Sequence, residues 1–104
     1  MRQVTASYSI RKLAIDDLER IWLYTNEEWG VEQADKYIRL LLSRFTWIAE
    51  NPLLGRKRDD VKPGYYCFPE GMRLVFYMAT KAGIDIIGIP HQCMDIVSHL
   101  KSMD

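Results

Sequence analysis

The chain lacks most of the features that announce a specialised protein. It has only two cysteines, Cys67 and Cys93. Two are too few for a disulfide framework, so a reduced environment with both thiols tucked into the fold as small residues is expected. It has no excess of either charge, with Lys plus Arg and Asp plus Glu at 14 each. That balance argues against direct nucleic-acid binding by this chain alone, which would need a net basic face, and predicts a readiness to associate. It has no apolar run long enough to span a membrane, and Met1–Ala6 lacks the apolar centre of a signal peptide, so a cytoplasmic protein is expected. It has no internal repeat, low-complexity tract or linker, and at 104 residues it has room for one domain, residues 1–104.

What it does have is apolar residues, 48% of the total, enough for a packed core. Their spacing changes along the chain. Residues 7–13, "SYSIRKL", alternate in the manner of a strand. From Ala14 the period becomes helical, with Leu18, Ile21, Trp22, Thr25 and Trp29 on one face, Asp16 and Asp17 in the first turn and Gly30 at the end. A second stripe follows, made of Ala34, Tyr37, Ile38, Leu41, Phe45 and Ile48. It stops near Glu50 at Asn51-Pro52 and Gly55. "GYYCF", "MRLVFYMAT" and "GIDIIGI" are strand-like, with Pro69-Glu70-Gly71 and Lys81-Ala82-Gly83 as hairpin turns. "CMDIVSHL" suits a short terminal helix. The expected fold is α+β in two layers, β-α-α-β-β-β. A helical hairpin packs through Leu18, Ile21, Trp22, Ile38, Leu41 and Phe45 on a small, mainly antiparallel sheet that includes Leu74 and Phe76. The other sheet face and an edge strand are expected to stay uncovered.

The reactive side chains cluster at the end of the last strand, in "IPHQCMDIVSH". His91, Cys93, Asp95 and His99 match no established metal spacing, so no metal is expected. Cys93 and His91 are one residue apart, but no oxyanion device accompanies them. RNA cleavage is the more serious chemistry. Arg73 and His91 are placed by this fold at one end of the sheet, and Arg56, Lys57, Arg58 and Lys62 offer phosphate contacts. Plainer roles compete with it. Arg73 would pair with Asp85 across the hairpin, Asp95 would cap the last helix, and "GRKRDDVKPG" would be a solvated loop.

Several stretches together resemble one family. "DLERIWLYTNEEWGVEQADKYI" is similar to the helical hairpin of ParE-type toxins in the RelE/ParE superfamily, through Asp17-Leu18, Tyr24-Thr25, Trp29-Gly30 and Gln33-Ala34. "AENPLLGRKRDDVKPGYYCFPEGMRLVFY" resembles the family's Asn-Pro…Gly-Arg and its later strands, and "IPHQCMD" resembles its closing motif. The likeness runs over about residues 6–97. It implies a single RelE/ParE-like toxin domain that poisons DNA gyrase without bond chemistry of its own and is silenced by a ParD-type antitoxin. It implies no cofactor and no catalytic residue. RelE-type relatives instead cut messenger RNA on the ribosome. This chain departs from their pattern, since no tyrosine follows His91. A third possibility is a non-toxic relative that only binds an antitoxin. The closing motif usually carries a cation where Cys93 stands and Leu where Pro90 stands, and Tyr66 occupies a position often held by Arg. If those cations touch the target, toxicity is reduced. The candidate target contacts are Arg56, Arg58, Arg73, His91 and Asp95.

Overall fold

Two amphipathic stretches joined by one glycine make the helical hairpin. Helix α1 spans Lys12–Trp29 and helix α2 spans Val31–Glu50 in the computed structural model, which describes residues 7–101. Residues 1–6, whose composition argued against a signal peptide, lie outside the described residues. Gly30 has φ 97°, a region costly for any side chain. It ends α1 by donating its N–H to Asn26 O at 2.9 Å, and its own carbonyl accepts the N–H of Ala34 as α2 begins. Trp22 ties the helices together by donating its indole N–H to Asp35 Oδ1 at 2.8 Å.

Helix α1 starts two residues before the expected Ala14. Asp16 and Asp17 fall beyond the first turn, so they do not serve the helix dipole there. The buried stripe is Leu13, Ala14, Asp17, Ile21 and Thr25. Leu18 and Trp22 flank it half-buried, while Trp29, expected inside, is 73% exposed. Thr25 is tolerated in the core because its hydroxyl donates to Ile21 O at 2.7 Å. In α2 the expected stripe holds, with Ala34, Leu41, Phe45 and Ile48 buried.

The strands are β1 (Ser7–Ile10), β2 (Arg56–Lys57), β3 (Tyr66–Glu70), β4 (Arg73–Ala79) and β5 (Gly83–Gly88), followed by helix α3 (Ile96–Lys101). They form one sheet in the order β1-β5-β4-β3-β2. Only the β1–β5 pair is parallel. The α+β two-layer expectation is met, with β4 central and the short last helix present. Gly83 makes the parallel pair possible, since a Cβ there would lie 1.8 Å from Ser7 O.

Three boundaries differ from expectation. β1 stops at Ile10 because Arg11 already leads into α1. The short β2 forms within the stretch that composition presented as a solvated loop, and pairs with Tyr66 and Cys67. β3 continues through Pro69 to Glu70, leaving only Gly71-Met72 as the turn. Proline fits there because β2 does not reach that far along β3, so no ladder partner needs its missing N–H.

The core has two parts. Val75, Tyr77, Ile84, Ile86 and Ile89 meet Ile21, Leu41, Phe45 and Ile48 of the hairpin. Phe76 and Ile87 instead join Leu13, Tyr65, Cys67 and Leu100, with Leu74 packed against them. The hairpin therefore does pack on the expected sheet, but through Val75 and Tyr77. Leu74 and Phe76 belong to the second cluster, as strand alternation requires. That cluster, capped by α3 and the chain near Tyr65, covers part of the face expected to be bare. Each fully buried large side chain contributes about 1.5–3 kcal/mol. Among the described residues, no helix is long and apolar enough to cross a membrane.

Candidate partner-binding groove

The segment after β5 is fixed by a buried carboxylate. Asp17, 4% exposed, accepts the Ile89 N–H at 2.8 Å on Oδ2. Its oxygens also lie 3.0 and 2.9 Å from His99 Nε2. One residue on α1 thus ties the end of the sheet to α3. Further along, Leu74 donates its N–H to Pro90 O, and Gln92 donates to Met72 O. Pinned at three points, the segment holds the backbone of His91 in an isolated antiparallel β-bridge with that of Arg73 on the neighbouring strand. The expectation that Arg73 and His91 meet at one end of the sheet is met.

They line a groove of about 730 Å³ between the hairpin and the β3–β4 turn. Its walls are mostly apolar, from Ile21, Tyr24, Trp29, Tyr37, Met72 and Met94. Arg73 makes no ion pair among the described residues. Its expected partner Asp85 is taken by Ser9 Oγ at 2.8 Å and Arg11 Nε at 2.6 Å. Burial raises the phenol pKa of Tyr37, with the Arg73 guanidinium opposing and Glu70 adding to the rise. His91 Nδ1 accepts the Cys93 N–H at 3.1 Å, so in the neutral ring Nε2 carries the proton.

The remaining candidates lie elsewhere. Asp95 caps α3, accepting the N–H of Ser98 at 3.3 Å and its hydroxyl at 2.9 Å. Those two bonds hold its carboxyl below the ordinary pKa. Arg56 is exposed on β2, and with Arg58 lines a separate depression of about 420 Å³ over Cys67, Phe68 and Pro69. Arg58 is bound through two nitrogens to Asp60, at 2.9 and 3.0 Å, and lies 5.5 Å from the Phe76 ring centre. Burial raises the thiol pKa of Cys67, opposed by Arg58 and Arg56. Cys93, expected to be tucked in, is exposed. His99 is drawn to Asp17, away from His91, and no group of three or more potential ligands is poised for a metal among the described residues. Tyr66 stacks on Tyr77 with ring centres 5.6 Å apart.

Asp17 and Trp29 are the residues that sequence patterning misplaced. Asp17 sits four residues from Ile21, which was already on the expected stripe, so the spacing itself could have placed it on the buried face. Nothing in the pattern marked Trp29 as exposed.

A helical hairpin packed across one face of a five-stranded, mostly antiparallel sheet defines the class of fold. A solved structure described as the chromosomal ParDE TA system from P. aeruginosa shares it, with a TM-score of 0.71 over 86% of this chain and 98% of that one, at 18% identity. The family model for the ParE toxin of type II toxin–antitoxin system, parDE, matches residues 8–96. Toxin ParE1 of Mycobacterium tuberculosis is 37% identical over 98 residues, covering 93% of this chain and all of the relative. Toxin ParE1 of Caulobacter vibrioides is 37% identical over 93 residues, covering 89% of this chain and 96% of the relative. The chain belongs to the ParE toxin family of type II toxin–antitoxin systems.

Proposed function

We propose that this toxin acts in the cytoplasm by binding DNA gyrase, performs no bond chemistry of its own, and is silenced by a ParD-type antitoxin. The observation that carries this reading is the groove: apolar walls around a guanidinium, Arg73, that makes no ion pair among the described residues. Such a surface suits recognition of another protein, where a desolvated arginine among aromatic and methionine side chains is a common anchor. The same groove is poorly equipped for cleaving RNA. Burial favours the protonated phenol of Tyr37, and His91 Nδ1 is engaged by the Cys93 N–H, so neither offers a ready base for a 2′-hydroxyl. The ParDE description of the solved relative supports an antitoxin as the second partner.

A supercoiling assay with purified gyrase tests the target. Loss of supercoiling or accumulation of gyrase-cleaved DNA is the expected result, with ribosome-bound messenger RNA left intact. Arg73 and His91 side by side in the groove lining are what support the nuclease as the second reading. Cleavage in the ribosomal A site, abolished by His91→Ala or Arg73→Ala, would replace the first reading with it. Absence of toxicity on induced expression would mark a relative that retains only antitoxin binding, in keeping with Cys93 and Tyr66 at usually cationic positions.

A further inference from the structure

We infer that in the partner-free protein a second copy of this chain closes the groove, each copy seating the Trp29 tip of its hairpin in the groove of the other across a two-fold axis. The inference goes beyond the proposed target and holds whether that target is gyrase or the ribosome.

The first ground is an aromatic anchor left outside. Trp29 stands at the groove rim at 73% exposure, and Tyr24, five residues earlier on α1, is 60% exposed. Val31, Met72 and Met94 beside them are also exposed. A contiguous apolar patch of this kind marks an interaction surface. A two-fold contact uses each residue twice. Two copies of Trp29 and Tyr24 therefore supply roughly half of the about 1,000 Å² that a specific interface needs, and the other three residues of both copies supply the remainder.

The second ground is charge, and it selects the occupant. The groove continues into a shallower depression that shares Gln33 and Tyr37 and adds Lys36 and Arg39. Arg73, His91, Lys36 and Arg39 line the joint furrow, and no carboxylate does. The acids on the neighbouring elements are engaged, Asp35 by Trp22 and Glu70 by Arg44. The exposed tip that carries Trp29 has the opposite sign. Glu27, Glu28 and Glu32, within three residues of Trp29 in sequence, are exposed and make no ion pair among the described residues. One patch thus holds a cationic furrow and an acidic tip side by side, which is the condition for self-complementarity. Zero net charge removes the long-range repulsion that would oppose pairing.

Sedimentation equilibrium of the purified full chain, from micromolar to hundreds of micromolar, tests this with a tip-reversed variant (E27K/E28K), a furrow-reversed variant (R39E/R73E) and Trp29→Ala. All the substituted side chains lie on the surface or the groove lining, and circular dichroism confirms folding. The wild type should dimerise, more weakly as salt rises, and each variant alone should be monomeric. An equimolar mixture of tip-reversed and furrow-reversed chains should recover a heterodimer. A monomeric wild type at every concentration, a dimer indifferent to Trp29→Ala, or a mixture that stays monomeric would each overturn the inference. The gyrase assay is separate, so failure of the dimer leaves the proposed function standing, and the reverse.

Discussion

Asp17→Ala should be among the most damaging single substitutions outside the apolar core. The carboxylate is buried and serves two other elements at once. Its first partner, the N–H of Ile89, belongs to a residue with no exposure, so water cannot replace the lost acceptor. An unsatisfied buried N–H costs about 1–3 kcal/mol. Its second partner, the His99 side chain, is 14% exposed and loses its bond to α1, at about 1 kcal/mol. The third, Arg20, is 67% exposed and 3.4 Å away, and solvent screening leaves it about 0–1 kcal/mol. The expected loss is therefore about 3 kcal/mol, or roughly 10–20 °C in Tm for a domain of this size. Asp17→Asn keeps an oxygen for Ile89 and should cost only about 1 kcal/mol. Urea unfolding followed by tryptophan fluorescence gives the energies, and amide exchange at Ile89 gives the local effect. A double-mutant cycle with His99→Ala should show a coupling of about 1 kcal/mol. A loss under about 0.5 kcal/mol for Asp17→Ala, with the Ile89 amide still protected, would refute the claim that this carboxylate holds the segment behind the groove.

Leu41→Ala removes a fully buried side chain from beneath the hairpin and should cost about 2–5 kcal/mol in the same unfolding assay. Tyr77→Phe deletes a hydroxyl that accepts the Gly55 N–H and donates to Pro52 O. It should cost about 1–3 kcal/mol and raise proteolytic susceptibility between α2 and β2. Asp95 has a folded pKa below its unfolded value, so its contribution is fully present above the unfolded pKa, near 3.9, and is lost as pH falls through the folded one. In acid, the protection factor of the Leu100 amide, its exchange relative to the intrinsic rate at the same pH, should fall, and Asp95→Asn should flatten that dependence. A thiol reagent at neutral pH should label exposed Cys93 quickly and Cys67 slowly, because burial raises the Cys67 thiol pKa. Mass spectrometry of the two peptides measures the ratio.

The sequence by itself determined the elements, their order and the family. A period of 3.6 in residues 14–50 and the aromatic and β-branched runs that follow Gly64 are local facts, so the two helices, the three long strands and the terminal helix were all legible in it. The pairing of Arg73 with His91 followed from topology once those elements were placed. Tertiary structure decided what depends on register and on distant partners. The earlier start of α1 only took Asp16 and Asp17 out of the first turn; Asp17 shares a face with Ile21 by spacing alone, and its burial rests on distant partners, the Ile89 N–H and His99, that no local pattern shows. The assignment of Val75 and Tyr77 to the hairpin, and of Phe76 to the other face, rested on which way a strand apolar on both sides turned. Periodicity cannot say that when both neighbours are hydrophobic. The two-residue β2 had no pattern of its own and exists because β3 offers it a ladder. The outward turn of Trp29 was likewise settled only in three dimensions: in the last turn before Gly30, its side chain meets the groove rim and solvent instead of the core.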